Sequence, residues 1–263
     1  MAVLNHYEWG PEDGPAVLFV HGVQNTGARY RRLAEEGFPE CRAIAVDLRG
    51  HAASLWDPPW GADTHVADLV DTMDALGLER APVVGHSFGG MLTTHLVAAA
   101  PERVERAALL DPAVAIAPSV AAQNAENTRR DDGWETAEEA HAARAAMRPP
   151  HAVGTVEEDL RIFMRLDEDG RYRFAFSRPA AITAWGEMAR PPAGVDGFGG
   201  ELLLVTALQA DLVNDRLRNR LRADLGDRFR EVGIDAGHML FWDAFEELVA
   251  VLRPFLGLPP LPV

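Results

Sequence analysis

The sequence predicts an α/β fold: a mostly parallel sheet flanked by helices. Continuous apolar runs such as Val17–Val20 and Leu202–Thr206 are typical of strands buried on both faces of a parallel sheet. In the first part of the chain these runs alternate with helical stretches through short loops, which indicates strand–helix–strand units. The length of 263 residues accommodates one large α/β domain with an insertion.

The elements before residue 112 follow from apolar periodicity and turn residues. A Gly/Pro-rich turn, residues 10–15, separates the first two strands, and a Trp/Pro-rich loop follows the third. The predicted strands are Leu4–Trp9, Val17–Val20, Arg42–Val46, Ala81–His86 and Val104–Leu110. The predicted helices are Ala28–Gly37, a helix capped by Asp63 or Thr64 that runs to Leu78, and Met91–Ala100.

The strand rhythm stops after Asp111-Pro112 and resumes at Leu202. Residues 113–200 are therefore predicted to be a mainly helical cap, inserted into a core of residues 1–112 and 201–263. An insertion between two parallel strands would cover their carboxyl ends, where open sheets bind ligands. The cap is expected to contain helices Ser119–Arg130, Thr136–Met147, Thr155–Arg165 and Pro179–Ala189, and a hairpin over Arg165–Ser177 that turns at Asp169-Gly170.

The core is predicted to close with two further strand–helix pairs. Strand Leu202–Thr206 precedes an arginine-rich helix over Val213–Leu225. Strand Phe229–Ile234 precedes the amphipathic helix Phe241–Leu256.

Composition excludes several classes of function. The formal net charge of −15 opposes binding to nucleic acid and to anionic membranes. All 25 basic residues are arginine, which excludes a P-loop lysine, a Schiff-base lysine and a Ser-Lys dyad. We expect a cytoplasmic protein because Cys41 is the single cysteine, the N-terminus lacks a signal-peptide pattern and no apolar run reaches membrane-spanning length. No set of side chains has metal-ligand spacing, so we expect a small-molecule substrate and neither metal nor cofactor.

The stretch Gly85-His86-Ser87-Phe88-Gly89-Gly90 joins a predicted strand to a predicted helix. Gly-x-Ser-x-Gly at such a junction is the pattern of a nucleophile elbow, in which a strained turn exposes a serine hydroxyl. The amide of Phe88 would lie at the helix N-terminus, where free N–H groups favour negative charge. Ser87 is therefore the candidate nucleophile.

A serine nucleophile needs a base, and the base needs an orienting carboxylate. His238 follows the last predicted strand, and Asp211 follows the strand before it. Their chain order, serine then acid then histidine, favours Asp211 as the acid and His238 as the base. Two rivals for the acid stay open: Asp215 nearby, and Asp111, which ends the strand after the elbow.

The second oxyanion donor is expected after the first buried strand, where His21-Gly22-Val23 offers a glycine for close approach and the amide of Val23. Substrate contacts are expected from Phe163 and Trp185 in the cap and from Met239 beside the base. The remaining histidines near these motifs, His21, His51 and His86, are expected to be structural, as is Arg49.

Together these motifs resemble the α/β-hydrolase superfamily over nearly the whole chain, especially capped esterases, C–C bond hydrolases and cofactor-free haloperoxidases. The resemblance rests on His21-Gly22, Asp47–His51, the elbow, Asp211–Val213 and Gly237-His238. It implies a serine hydrolase that cleaves an ester, lactone or thioester of a small, largely apolar molecule through an acyl-enzyme. It also implies that the family's first strand is missing here. A C–C bond hydrolase with the same triad and a non-enzymatic binding protein on this scaffold remain alternatives.

Overall fold

The computed structural model describes residues 2–130, 132–147, 149 and 154–261. Its main sheet has seven strands, and a separate hairpin has two. The sheet strands are β1 (His6–Trp9), β2 (Ala16–Val20), β3 (Arg42–Val46), β4 (Ala81–His86), β5 (Val104–Leu110), β8 (Glu201–Ala207) and β9 (Phe229–Ile234). The hairpin strands are β6 (Met164–Leu166) and β7 (Tyr172–Phe174).

Nine α-helices occur in the described residues, most of them between the strands. They are α1 (Ala62–Ala75), α2 (Phe88–Ala99), α3 (Pro118–Arg129), α4 (Ala137–Ala146), α5 (Val156–Ile162), α6 (Arg178–Met188), α7 (Asp215–Leu225), α8 (Leu240–Asp243) and α9 (Phe245–Phe255).

The sheet order is β1-β3-β2-β4-β5-β8-β9, with β1 antiparallel to β3 and every other neighbouring pair parallel. Parallel pairing aligns the carboxyl ends of the strands along one edge. The central strand β4 therefore ends beside β2 on one side and β5 on the other. The loops after these strands meet at that edge, which is where the fold places a site.

Alternate side chains of each strand enter two hydrophobic clusters, one on each face of the sheet. Val83 belongs to the first cluster, which is covered by α1, α2 and α7. Val84 belongs to the second, which is covered by α8 and α9. Burial on both faces explains why these strands have continuous apolar sequences. The predicted α/β fold is confirmed.

Three predicted elements differ in detail. Ala28–Gly37 is a 3₁₀ helix over Gly27–Tyr30 followed by one π-helical turn over Leu33–Gly37. Helix α1 begins after Gly61, so neither Asp63 nor Thr64 is its N-cap. The predicted helix over residues 241–256 is broken at Ala244, whose extended φ of −147° separates α8 from α9. Among the described residues, β1 is the first strand along the chain.

The segment between β5 and β8, which we call the inserted segment, contains α3–α6 and the hairpin. The hairpin turns through Gly170, whose φ of +78° suits glycine, as predicted from the Asp-Gly pair. Helices α3 and α6 pack against each other, and Thr136 closes a capping box with Glu139 at the start of α4. The division into core and cap domains at residues 112 and 201 stays a prediction.

None of the helices in the described part of the chain is both long enough and apolar enough to cross a membrane.

A buried carboxylate ties the strand ends together near the site. Asp47, directly after β3, accepts hydrogen bonds from the Gly27 N–H at 2.8 Å and the Asn5 side chain at 2.7 Å. It also accepts longer bonds from the Tyr7 hydroxyl at 3.3 Å and the Ala53 N–H at 3.4 Å. Burial raises the pKa of Asp47, and these donors oppose that shift. The loops after β2 and β3 are thus fixed to β1 through one side chain.

We predict that Asp47→Ala lowers the free energy of unfolding by about 3 kcal/mol, because several donors lose their acceptor at about 1–3 kcal/mol for each buried group. Urea unfolding followed by circular dichroism measures the change. Asp13→Ala, in an exposed turn, is the matched control and should alter the value by less than about 0.5 kcal/mol. Equal values for the two variants would contradict this account of Asp47.

Candidate active site

Ser87 lies at the junction of β4 and α2, with φ of +56° and ψ of −119°. A positive φ is unfavourable for a residue with a side chain, and such strain is maintained only when the surroundings impose it. The Ser87 N–H continues the sheet ladder by donating to the Leu110 carbonyl at 3.0 Å, and its carbonyl accepts from Met91 and Ala113. The backbone on both sides therefore holds the serine in the geometry predicted for a nucleophile elbow.

Glycines allow the neighbouring chain to approach this turn. A Cβ on Gly89 would lie 2.1 Å from the Val20 carbonyl oxygen, a distance that no side chain tolerates. A Cβ on Gly22 would lie 3.0 Å from the Ser87 Cβ. The turn after β2 is thus packed directly against the serine, as the sequence predicted from His21-Gly22-Val23.

The two predicted oxyanion donors flank the serine. Phe88 is the first residue of α2, a position whose N–H has no partner within its helix. Val23 lies one residue beyond Gly22. Across residues 2–130, 132–147 and 154–261, neither the Val23 nor the Phe88 amide donates a hydrogen bond to another protein group. Both N–H groups are available to an acceptor beside Ser87.

His238 is paired with Asp111. Its Nδ1–H donates to Asp111 Oδ2 at 2.6 Å, and the other carboxylate oxygen accepts from the Ala207 N–H at 3.1 Å. Asp111 is fully buried, whereas the His238 side chain is 35% exposed. A carboxylate on Nδ1 selects the tautomer with an unprotonated Nε2, which can accept a proton.

The predicted pairing of His238 with Asp211 is wrong. The residues after β8 form a turn, closed by the Ala210 N–H on the Ala207 carbonyl at 3.1 Å, which leaves Asp211 exposed. Asp215, the other rival, is also exposed and pairs with Arg218 in α7. Asp111, the alternative at the end of β5, occupies the place beside the histidine.

Strand order explains why the chain-order argument failed. Strand β5 lies between β4 and β8, so its carboxyl end is the immediate neighbour of the elbow. The Asp111 N–H extends the ladder to the Val205 carbonyl at 2.7 Å, and a φ of +42° orients this residue at the end of the strand. The signal in the sequence was that Asp111 directly follows its strand, whereas Asp211 lies four residues beyond β8.

His86 holds the loop that carries His238. Its Nε2–H donates to the His238 carbonyl at 2.8 Å, and the two ring centroids are 4.5 Å apart. Burial, and secondly the proximity of His238, lower the pKa of His86 to about 3, so its ring is neutral at pH 7. The structural role predicted for His86 is confirmed, and the contact with the His238 backbone is a detail that the sequence did not reveal.

Two further histidines support the turn after β2. The His21 Nδ1–H donates to the Gly22 carbonyl at 2.7 Å, and its Nε2 accepts from the Leu48 N–H at 2.9 Å. His51 Nε2 accepts from the N–H of Gln24, whose φ is +59°, at 3.1 Å. Burial lowers the pKa of both rings, that of His51 to about 4. Both histidines are therefore neutral supports, as predicted for His21.

Arg49 and His51 were expected to hold the loop that follows β3. Arg49 does so through a bidentate ion pair with Asp68, both bonds at 2.7 Å. His51 bonds its own loop through the Arg49 carbonyl at 3.1 Å, and it also reaches the turn beside the serine.

The three predicted substrate contacts lie in different surroundings. Trp185 in α6 lines a cleft between the turn after β2 and the inserted segment. Phe163 packs between the guanidinium groups of Arg144 and Arg29, 3.8 and 5.5 Å from its ring centroid. Met239 precedes α8 and is partly buried against the second hydrophobic cluster. Trp185 therefore has the clearest access to a ligand, and the binding role of all three stays a prediction.

The sequence is similar to known proteins over nearly its whole length. Residues 15–245 match the family model described as the alpha/beta hydrolase fold. The lipase LipV of Mycobacterium tuberculosis is 37% identical over 265 residues, which cover 97% of this chain and 98% of the lipase. The esterase YbfF of Escherichia coli is 26% identical and covers 92% of each chain.

Solved structures share the fold at lower identity. An E-2-(acetamidomethylene)succinate hydrolase superposes with a TM-score of 0.82 at 22% identity, covering 97% of this chain and 95% of its own. An esterase from a marine microorganism superposes with a TM-score of 0.79 at 18% identity, covering 97% of this chain and 100% of its own.

Proposed function

The chain belongs to the α/β-hydrolase family, and on that premise we propose that it is a hydrolase acting on ester bonds with Ser87 as its nucleophile. Full-length relatives named lipase and esterase support ester cleavage. The observation that carries the proposal is the 2.6 Å hydrogen bond from His238 Nδ1–H to the buried Asp111 carboxylate, next to a strained serine turn. A neutral histidine oriented in this way is a general base for a serine hydroxyl.

The first half of the reaction forms an acyl-enzyme. His238 Nε2 takes the proton of the Ser87 hydroxyl as its oxygen attacks the ester carbonyl. The Val23 and Phe88 N–H groups donate to the oxyanion that develops on the carbonyl oxygen. His238 then gives its proton to the departing alkoxide, and Asp111 stabilises the imidazolium between these two steps.

The second half releases the acid. Water gives a proton to His238 and attacks the acyl carbonyl, after which the same proton returns to the Ser87 oxygen. The two Asp111 oxygens accept hydrogen bonds from His238 and Ala207, which keeps the imidazole oriented in both halves of the reaction. The cycle needs no group beyond these side chains and amides.

We propose esters, lactones or thioesters of small, largely uncharged and apolar molecules as substrates. Trp185 and its aromatic neighbours in the cleft supply apolar surface beside the turn that carries Val23. We further propose that residues 113–200 act as a cap, since they provide most of the walls of this cleft.

We predict that Ser87→Ala lowers kcat for p-nitrophenyl acetate by about 10⁶-fold, because the variant lacks the nucleophile. The assay follows release of p-nitrophenol, with circular dichroism to confirm that the variant folds. Ser54→Ala, in the loop after β3, is the control and should retain activity.

A β-diketone substrate, assayed beside the ester, tests the C–C hydrolase alternative, which predicts turnover of the diketone and none of the ester. A folded wild-type protein that turns over neither substrate would favour the binding-protein alternative.

The acid is assigned by a matched pair of substitutions. We predict that Asp111→Asn lowers kcat by about 10⁴-fold, because the amide neither selects the His238 tautomer nor stabilises its charge. Asp211→Asn, at the exposed position, should leave kcat within about twofold of wild type. The reverse outcome, loss in Asp211→Asn with activity retained in Asp111→Asn, would refute the assignment.

A further inference from the structure

A cleft of about 280 Å³ lies between the turn after β2 and the inserted segment. Its lining consists of four aromatic side chains, Trp185 among them, and four uncharged polar ones, which include Gln24 on the core side and Asn124 and Thr128 on α3. None of the lining side chains is ionisable. The volume is at the small end of those found for ligand sites.

The core side of the cleft belongs to the turn that packs against the nucleophile. Gln24 directly follows Val23, and the glycine before Val23 packs against the Ser87 Cβ. Val23 and Trp185 both pack against the first hydrophobic cluster, which contains Phe88. A group bound in the cleft would therefore be one substituent of an ester whose carbonyl lies at Ser87.

Internal hydrogen bonds occupy part of the hydrogen-bonding capacity of the polar wall. The Thr128 hydroxyl donates to the Asn124 carbonyl at 2.8 Å and accepts from Gln24 Nε2 at 2.9 Å and Trp185 Nε1 at 3.2 Å. The Asn124 side-chain amide donates to the Val120 carbonyl at 2.9 Å. The Gln24 and Asn124 amides each keep one N–H, and the Asn127 amide, exposed at the rim, keeps both.

Two side-chain acceptors remain, Gln24 Oε1 and Asn124 Oδ1. Within the described parts of the chain, neither oxygen accepts a hydrogen bond. A partly buried acceptor gains most from a ligand that brings a donor, since an unpaired polar group costs free energy when water is displaced. Because the same two amides also keep an N–H each, the wall favours a ligand hydroxyl, which both donates and accepts.

The aromatic walls and the absence of charge restrict the ligand further. A flat ring that stacks on an aromatic side chain, or contacts its edge, gains binding free energy beyond that of the area it buries. A carboxylate or an ammonium group would lose its hydration without meeting an opposite charge. The volume admits a single ring with a short linker, whereas a long acyl chain would extend beyond it.

We infer that the cleft binds a compact, uncharged aromatic substituent that carries a hydrogen-bond donor, such as a phenol, of an ester hydrolysed at Ser87. The inference rests on the proposed function for the reaction itself. The aromatic substituent can belong to the acid or to the alcohol of the ester, and matched substrates distinguish the two sources.

The test compares kcat/KM within two series of esters. The acid series contains the methyl esters of 3-(4-hydroxyphenyl)propanoic, 3-phenylpropanoic and octanoic acids, with monomethyl succinate as the charged member. The alcohol series contains 4-hydroxyphenethyl, phenethyl and octyl acetates. In one of the two series we expect kcat/KM of the hydroxyaryl ester to exceed that of the phenyl ester about fivefold, which is the contribution of one hydrogen bond. In the same series it should exceed kcat/KM of the octyl or octanoyl ester at least about tenfold.

Two variants locate the preference. Asn124→Leu, similar in volume, should reduce the hydroxyaryl-to-phenyl ratio to about one, and Trp185→Leu should remove the preference for aryl over alkyl esters. Asn219→Leu on the exposed face of α7 and Trp9→Leu in the edge strand β1 are matched controls that should keep both ratios. Three results would overturn the inference. They are equal kcat/KM for the hydroxyaryl and the octyl or octanoyl esters in both series, a preference for the succinate ester, and an unchanged hydroxyaryl-to-phenyl ratio in Asn124→Leu.

A binding measurement separates this inference from the proposed function. Calorimetry with 4-hydroxyphenethyl alcohol, and with octanol for comparison, needs no turnover. We expect the phenol to bind at least about tenfold more tightly than octanol, both in wild type and in Ser87→Ala. Asn124→Leu should weaken phenol binding about fivefold. Phenol binding without Ser87-dependent ester hydrolysis would support the inferred ligand of the cleft and refute the proposed reaction. Ester hydrolysis without phenol binding would support the proposed reaction and refute the inferred ligand.

Discussion

The buried Asp111 carboxylate, with His238 on one oxygen and the Ala207 amide on the other, is the interaction on which the rest of the site depends. A fully buried carboxylate is costly unless both oxygens are hydrogen-bonded. The sheet meets this requirement, because the carboxylate follows β5, the Ala207 amide ends β8 and His238 lies in the loop after β9. The register of the parallel sheet therefore also places the Asp111 side chain within hydrogen-bonding distance of His238.

The other side of the serine depends on close backbone packing. Gly22 and Gly89 let the turn after β2 approach the elbow to distances that a Cβ would prevent. His21 and His51 then hold that turn through neutral ring nitrogens, and burial keeps their pKa values low so that they stay neutral near pH 7. The Val23 and Phe88 amides beside this strained serine are the donors on which the proposed oxyanion stabilisation depends.

The fold and the strained turn at Ser87 could be predicted from the sequence, since each is encoded by a local pattern of apolar runs and glycines. The partner of His238 was misplaced because the choice between Asp111 and Asp211 depends on which strand lies next to β4. Strand order is set by long-range pairing that a single sequence does not display. The break at Ala244 was missed for a similar reason, since apolar periodicity continues across it while the backbone departs from helical geometry.

Covalent labelling with a fluorophosphonate tests most directly whether Ser87 is an activated nucleophile. The Ser87 oxygen would displace fluoride at phosphorus while His238 accepts the proton. Trypsin cuts this lysine-free chain only after arginine, so residues 81–103 emerge as one peptide whose single serine is Ser87. We predict one phosphonyl group on that peptide in the folded protein, with labelling slowed by a competing ester. Absence of label, or label on a different peptide, would contradict the account.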